Sequence, residues 1–139
     1  MRTKKVKPPP KKYDYTLIIS GKTDNVLKKD YISFKFQTTK EFLTFKYILN
    51  IETEVMDKKI LFDIIGFEAP AGDLSNPGYA EYEYKFFDFQ SGDYSVQVGR
   101  TDNDKSKFNL KIGTSGSNSI KAAGVPRNSF IDILVQNDT

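Results

Sequence analysis

From Tyr13 onward, apolar residues recur at every second position. In YDYTLIIS (13–20), Tyr15, Leu17 and Ile19 share one face. In YISFKFQ (31–37), Ile32, Phe34 and Phe36 point one way and Ser33, Lys35 and Gln37 the other. LTFKYILNIETE (43–54) sets Phe45, Tyr47, Leu49 and Ile51 against Lys46, Ile48, Asn50 and Glu52. KILFDIIGF (59–67) alternates Ile60, Phe62 and Ile64 with Leu61, Asp63 and Ile65, so a strand covered on both faces is expected there. In AEYEYKFF (80–87), Tyr82, Tyr84 and Phe86 oppose Glu81, Glu83 and Lys85, and the adjacent Phe86 and Phe87 predict a bulge. DYSVQVGR (93–100), KFNLKI (107–112) and FIDILVQ (130–136) continue the pattern with Tyr94, Val96 and Val98, with Phe108, Leu110 and Ile112, and with Ile131, Ile133 and Val135 inward. Period two is the signature of strands that lay one face on a core. Eight strands are predicted. The one helical candidate is SNSIKAAG (117–124), with Ser119 as cap and Gly124 as stop.

Eight short strands punctuated by Gly, Asp, Asn and Pro predict an all-β fold. The expected architecture is an antiparallel two-sheet sandwich, immunoglobulin-like with about eight strands, with a jelly roll as the alternative. The chain has 139 residues, which suits one folded unit. Residues 1–12, MRTKKVKPPPKK, read as a basic Pro-rich tail, extended and solvated, and 13–139 as the β domain. Its 11 Phe and 8 Tyr, with no Trp, favour strands further.

The stretch FDFQSGDYSVQVGR (87–100) contains F-x-x-G-x-Y-x-V-x-V over residues 89–98. This resembles the corner before a late core strand in immunoglobulin-like and transthyretin-like sandwiches. The resemblance implies that Gly92 permits a tight turn and that Tyr94 tucks its ring beneath it, the hydroxyl reaching a backbone group.

Charge and composition narrow the function. Net charge is +3, yet Arg2, Lys4, Lys5, Lys7, Lys11 and Lys12 contribute six positive charges, and without them the remainder stands at −3. A folded body of that sign is not expected to bind nucleic acid. The chain has no Cys and no His, which removes disulfides, thiolate sites and the commonest general base. No cofactor, no metal and no catalytic activity are therefore expected. No apolar run reaches the length of a membrane span, and three prolines fall where a signal's apolar stretch would lie. As the sequence stands, a cytoplasmic location is expected, or a periplasmic or cell-surface one if a signal or lipid anchor has been removed. The expected partner is a protein, in a binding, adhesion or structural role.

Reversing direction at each strand sorts the connections into two ends. Loops 38–42, 69–79 and 101–105 fall at one, and 21–30, 55–58, 89–92 and 113–128 at the other. Loops carry most recognition. The candidate binding residues are those of the first end: Asp73, Asn76, Tyr79, Arg100, Asp102 and Asp104. Asp102, Asn103 and Asp104 also pose a calcium reading, with Asp73 as a further oxygen donor, against the simpler reading of a hairpin turn. NPGY (76–79) resembles the NPTTGY loop of chagasin-type cysteine-protease inhibitors, which implies loop-presented inhibition as an alternative. Glu81 and Glu83 give a third reading, acid–base work on a glycan, against a solvated strand face. A likeness to transthyretin-like adhesin modules would imply a Lys–Asn bond at Asn137 with Glu81 or Glu83 as the acid.

Overall fold

The structure, a computed structural model, describes residues 15–42, 48–68, 78–100, 104–113, 119–125 and 130–136. The described residues form nine strands: β1 (Tyr15–Asp24), β2 (Lys29–Phe42), β3 (Ile48–Met56), β4 (Lys59–Glu68), β5 (Gly78–Phe86), β6 (Gly92–Arg100), β7 (Asp104–Ile112), β8 (Ile120–Ala123) and β9 (Ile131–Gln136). No helix among the described residues is long and apolar enough to cross a membrane.

The strands form one mixed sheet in the order β8-β7-β6-β4-β3-β5-β2-β1-β9, which curls into a nearly closed barrel with β8 and β9 approaching each other. This corrects the expected two-sheet antiparallel sandwich and its jelly-roll alternative. Hairpins join β1 to β2, β3 to β4 and β6 to β7. β8 pairs antiparallel with the preceding β7, and the remaining ladders join strands that are not neighbours in sequence: β2 pairs antiparallel with β5, while β4 with β6, β1 with β9 and β3 with β5 run parallel. Alternation states which face of a strand is apolar but carries no information on its partner, so the sandwich did not follow from it.

The inward faces are those the alternation assigns. Leu17, Ile19, Phe34, Phe36, Ile60, Phe62, Val96 and Leu110 are all buried. Phe62 of β4 is the aromatic hub of the interior. Its ring centroid lies 5.2 Å from Phe34 and 4.9 Å from Phe36, both on β2 across the barrel, and 6.0 Å from Tyr84 of β5. Such pairs contribute about 0.5–1.5 kcal/mol each beyond the burial of their area.

Three local expectations need correction. Ile65 is 46 % exposed, so β4 is not covered on both faces; it is the extra residue of a bulge where the β3–β4 register shifts between Asn50 and Ile51. No bulge occurs at Phe86 and Phe87, because β5 ends at Phe86. In β2 a second irregularity separates Gln37 from Glu41, and within it Thr38 Oγ1 accepts a hydrogen bond from the Ala80 N–H at 3.0 Å. The helical candidate is instead β8, paired antiparallel with β7 through Leu110↔Ala122 and Ile112↔Ile120, and Gly124 follows it at φ 71°.

The corner before β6 is built by Gly92 and Tyr94. Gly92 adopts φ 128°, a conformation that L side chains rarely reach. Tyr94 is 3 % exposed, and its hydroxyl accepts a hydrogen bond from the Gln90 N–H at 2.9 Å.

Candidate functional site

A barrel recognises ligands where its wall is incomplete or its ends open. Here the wall has two weak places among the described residues: β8 and β9 approach each other without a ladder, and β3 and β5 barely pair. β3 and β5 run parallel and share a single register pair, Ile48↔Glu81. Beyond it, among the described residues, neither the β3 edge from Leu49 to Met56 nor the facing β5 edge from Tyr82 to Phe86 has a strand partner on that side. Side chains take over the join: Thr53 Oγ1 and Tyr82 Oη lie 3.3 Å apart across the seam. Val55, Tyr82 and Tyr84 pack against the core yet are only partly buried, because the seam leaves one side of each uncovered.

At the far end of the seam a cleft of about 610 Å³ opens between the β3–β4 turn and the segment after β5. Val55, Tyr84, Phe86 and Tyr94 give it aromatic and aliphatic walls, and Lys58 and Asp88 give it charge. Lys58 is held in place. Its Nζ donates to the Ser91 carbonyl at 3.1 Å and sits 4.7 Å from the centroid of the Tyr94 ring, while its own carbonyl accepts from the Ser95 N–H at 2.8 Å. The tight turn that presents Lys58 depends on Asp57 at φ 51°, a conformation Asp tolerates better than most residues. Burial raises the Tyr84 phenol above its ordinary value of 10.0, and the neighbouring Tyr82 and Asp88 raise it further. Tyr84 therefore stays a neutral hydrogen-bonding group across the physiological range.

A larger concavity of about 830 Å³ lies on the outer face over β3, β4 and β6, with Glu52, Glu54, Asp63, Gln97 and Lys105 at its surface. Glu52 stands directly opposite Asp63 in the β3–β4 register, so two like charges face one another. Among the described residues, no group of three or more acidic side chains is disposed to hold a metal ion.

The loop sorting survives the change of fold for the strand ends that are described. The ends of β2, β4 and β6 and the starts of β3, β5 and β7 meet at one end of the barrel. The end of β8 and the start of β9 join them there, because the added strand β8 reverses the chain once more. Arg100 and Asp104 are register partners at the ends of β6 and β7. The Arg100 guanidinium lies 4.5 Å from the centroid of the Phe130 ring, whose edge meets Tyr15 at 6.4 Å. Tyr79, 37 % exposed, is the second residue of β5 and lies on the outer face with Glu81 and Glu83, with β4 and β3 between it and Arg100. Asp73, Asn76 and Asp102 fall outside the described residues, as do the tail at 1–12, Asn103 and Asn137.

Glu81 and Glu83 lie on the outer wall and are tied to β2. Lys35 Nζ reaches Glu81 at 3.8 Å, and Ser33 Oγ donates to Glu83 at 2.5 Å. The seam residues Thr53, Lys58, Tyr84 and Asp88 were not singled out from the sequence. Their one signal was the strand pattern around them, which marks Tyr82 and Tyr84 as core-facing but not as half-covered.

No protein-family model, curated protein or solved structure matches this chain, so the class it defines rests on the fold: an all-β, nearly closed, nine-stranded mixed barrel with a split wall.

Proposed function

We propose that this chain is a non-catalytic binding module whose ligand site is the cleft at the β3–β5 seam. The observation that carries the reading is the convergence of Tyr84, Tyr94, Lys58 and Asp88 on a cleft of about 610 Å³ at the split of the barrel wall. Specific ligand sites are concavities of this size, about 300–1,000 Å³, with apolar walls and a few placed polar groups. Lys58 is already fixed by Ser91 and Tyr94, so little side-chain freedom is lost when a ligand arrives. The lack of His and Cys and the engagement of Glu81 and Glu83 by β2 support a role without chemistry. A protein partner is the expected class.

The competing reading places recognition, including loop-presented inhibition, at the opposite end. It is favoured by the register pairing of Arg100 with Asp104 at the ends of β6 and β7. A screen of sugars, small amides and short peptides against the ¹⁵N-labelled chain separates the two. Amide shifts clustered at Lys58, Phe87, Asp88 and Gln90 are expected. Clustering at Tyr79, Arg100 and Asp104 would favour the loop end and overturn the cleft.

A further inference from the structure

The seam offers more than a concavity, because its two walls are strand edges. We propose that the β3–β5 seam accepts an extended peptide segment as an inserted strand, one that alternates apolar residues toward the cleft with basic residues toward solvent. This inference rests on the reading of the seam as the binding site and names the ligand class.

Three observations carry it. First, β3 from Leu49 and β5 from Tyr82 face one another with backbone groups that have no strand partner on that side among the described residues. An inserted strand would satisfy both rows at once, the mode of recognition in which main-chain bonds supply affinity and side-chain pockets supply specificity. Because β3 and β5 run parallel, a strand opposed to both would form two antiparallel ladders, the more favourable pairing per residue.

Second, the inward residues along the seam are apolar and incompletely covered. Val55 and Tyr84 border the cleft, while Thr53 and Tyr82 close the wall beside it. Alternate side chains of a strand point to one face, so every second residue of an inserted segment would enter that space.

Third, charge selects the outward residues. Glu52 and Glu54 are exposed on β3, and among the described residues neither has an ion-pair or hydrogen-bond partner. Glu52 also faces Asp63 directly. On β5, by contrast, Lys35 and Ser33 already engage Glu81 and Glu83. A cation on the neighbouring inserted strand would relieve the Glu52–Asp63 repulsion, whereas a carboxylate there would add to it.

The test uses the full chain and an end-blocked octapeptide alternating Val and Lys. Saturable binding is expected, with exchange slowed at least about tenfold for amides within Asn50–Met56 and Tyr82–Phe86, a difference of ~1.4 kcal/mol. Methylating alternate backbone nitrogens of the peptide removes the donors along one of its edges and keeps its side chains, and it should weaken binding at least about tenfold. Glu52→Gln with Glu54→Gln should weaken binding several-fold while leaving the amide spectrum elsewhere unchanged. If the methylated peptide binds equally well, or a Val–Glu octapeptide binds as tightly, the inserted basic strand is overturned. If the peptides fail to bind while small fragments still shift Lys58 and Asp88, strand insertion falls and the cleft reading stands. If neither binds, both fall. Protection of the same amides that appears with protein concentration alone would make a second copy the occupant and overturn the peptide.

Discussion

Thr53 and Tyr82 are joined by a side-chain hydrogen bond of 3.3 Å on strands that pair through the backbone only at Ile48 and Glu81. The bond is a bolt across a weakly paired part of the wall. A net contribution of about 0.5–1.5 kcal/mol is typical of one such bond. Tyr82→Phe and Thr53→Val should each lower stability by that order, and the double variant should cost little more than either single one, because both remove the same bond. Chemical denaturation of the four proteins gives the coupling. Fully additive losses would mean that the bond does not hold the seam.

The corner at Gly92 gives a second expectation. Tyr94→Phe keeps the ring under Lys58 and removes only the acceptor for the Gln90 N–H. Gln90 is exposed, so water replaces much of what is lost, and the cost should stay near 0.5–1 kcal/mol, about the lower part of the usual range. Tyr94→Ala also empties a buried site and should cost about 3–5 kcal/mol. Amide exchange at Gln90 should rise in both variants, with a large fall in the denaturation midpoint only for the second.

Thr38 fills the gap in the β2–β5 ladder. Where the register slips between Gln37 and Glu41, the buried Ala80 N–H turns to the Thr38 hydroxyl. Thr38→Val has nearly the same shape but leaves that donor unsatisfied, a loss of about 1–3 kcal/mol. Thr38→Ser keeps the acceptor and should lose less than Thr38→Val. A larger loss for Thr38→Ser than for Thr38→Val by thermal or chemical unfolding would assign the stabilisation to the methyl group rather than to the bond.

These residues also show how far the sequence could be read. Phe34, Phe36 and Phe62 were assigned inward by alternation, and they meet at the centre of the barrel. The Gly92–Tyr94 corner was legible because its geometry is local, spanning five residues from Gln90 to Tyr94. Pairing was not. Phe36 stands beside Tyr82 and Ile60 beside Val96, partners about 40 residues apart that no turn residue announces. Strand β8 was misread because Ile120–Ala123 is four residues long and contains Lys and Ala, both good helix formers. Its ladder with Leu110 and Ile112 outweighs that preference. The candidate site was least legible of all, since a seam is made where two strands do not pair.

The last expectation concerns alkali. Burial raises the Tyr84 phenol above 10.0, with smaller contributions from Tyr82 and Asp88. The unfolded chain would ionise Tyr84 near its ordinary value, while the folded chain resists until a higher pH. Below pH 10 both states hold the proton, and this group makes no difference between them. Above it, the unfolded state is favoured by releasing a proton that the folded state retains, so stability falls as pH rises, until the folded phenol ionises as well. The comparison is made as a difference between two proteins, so that every contribution but that of Tyr84 cancels. Tyr84→Phe keeps the ring beside Phe62 and Phe34 and abolishes the titration. The stability gap between wild type and Tyr84→Phe should be constant up to about pH 9 and then move in favour of the variant as alkalinity increases. Urea midpoints measured at closely spaced pH values for both proteins check this. A gap that stays flat through the alkaline range would mean that Tyr84 is as well solvated as in the unfolded chain, and that the seam does not shelter it.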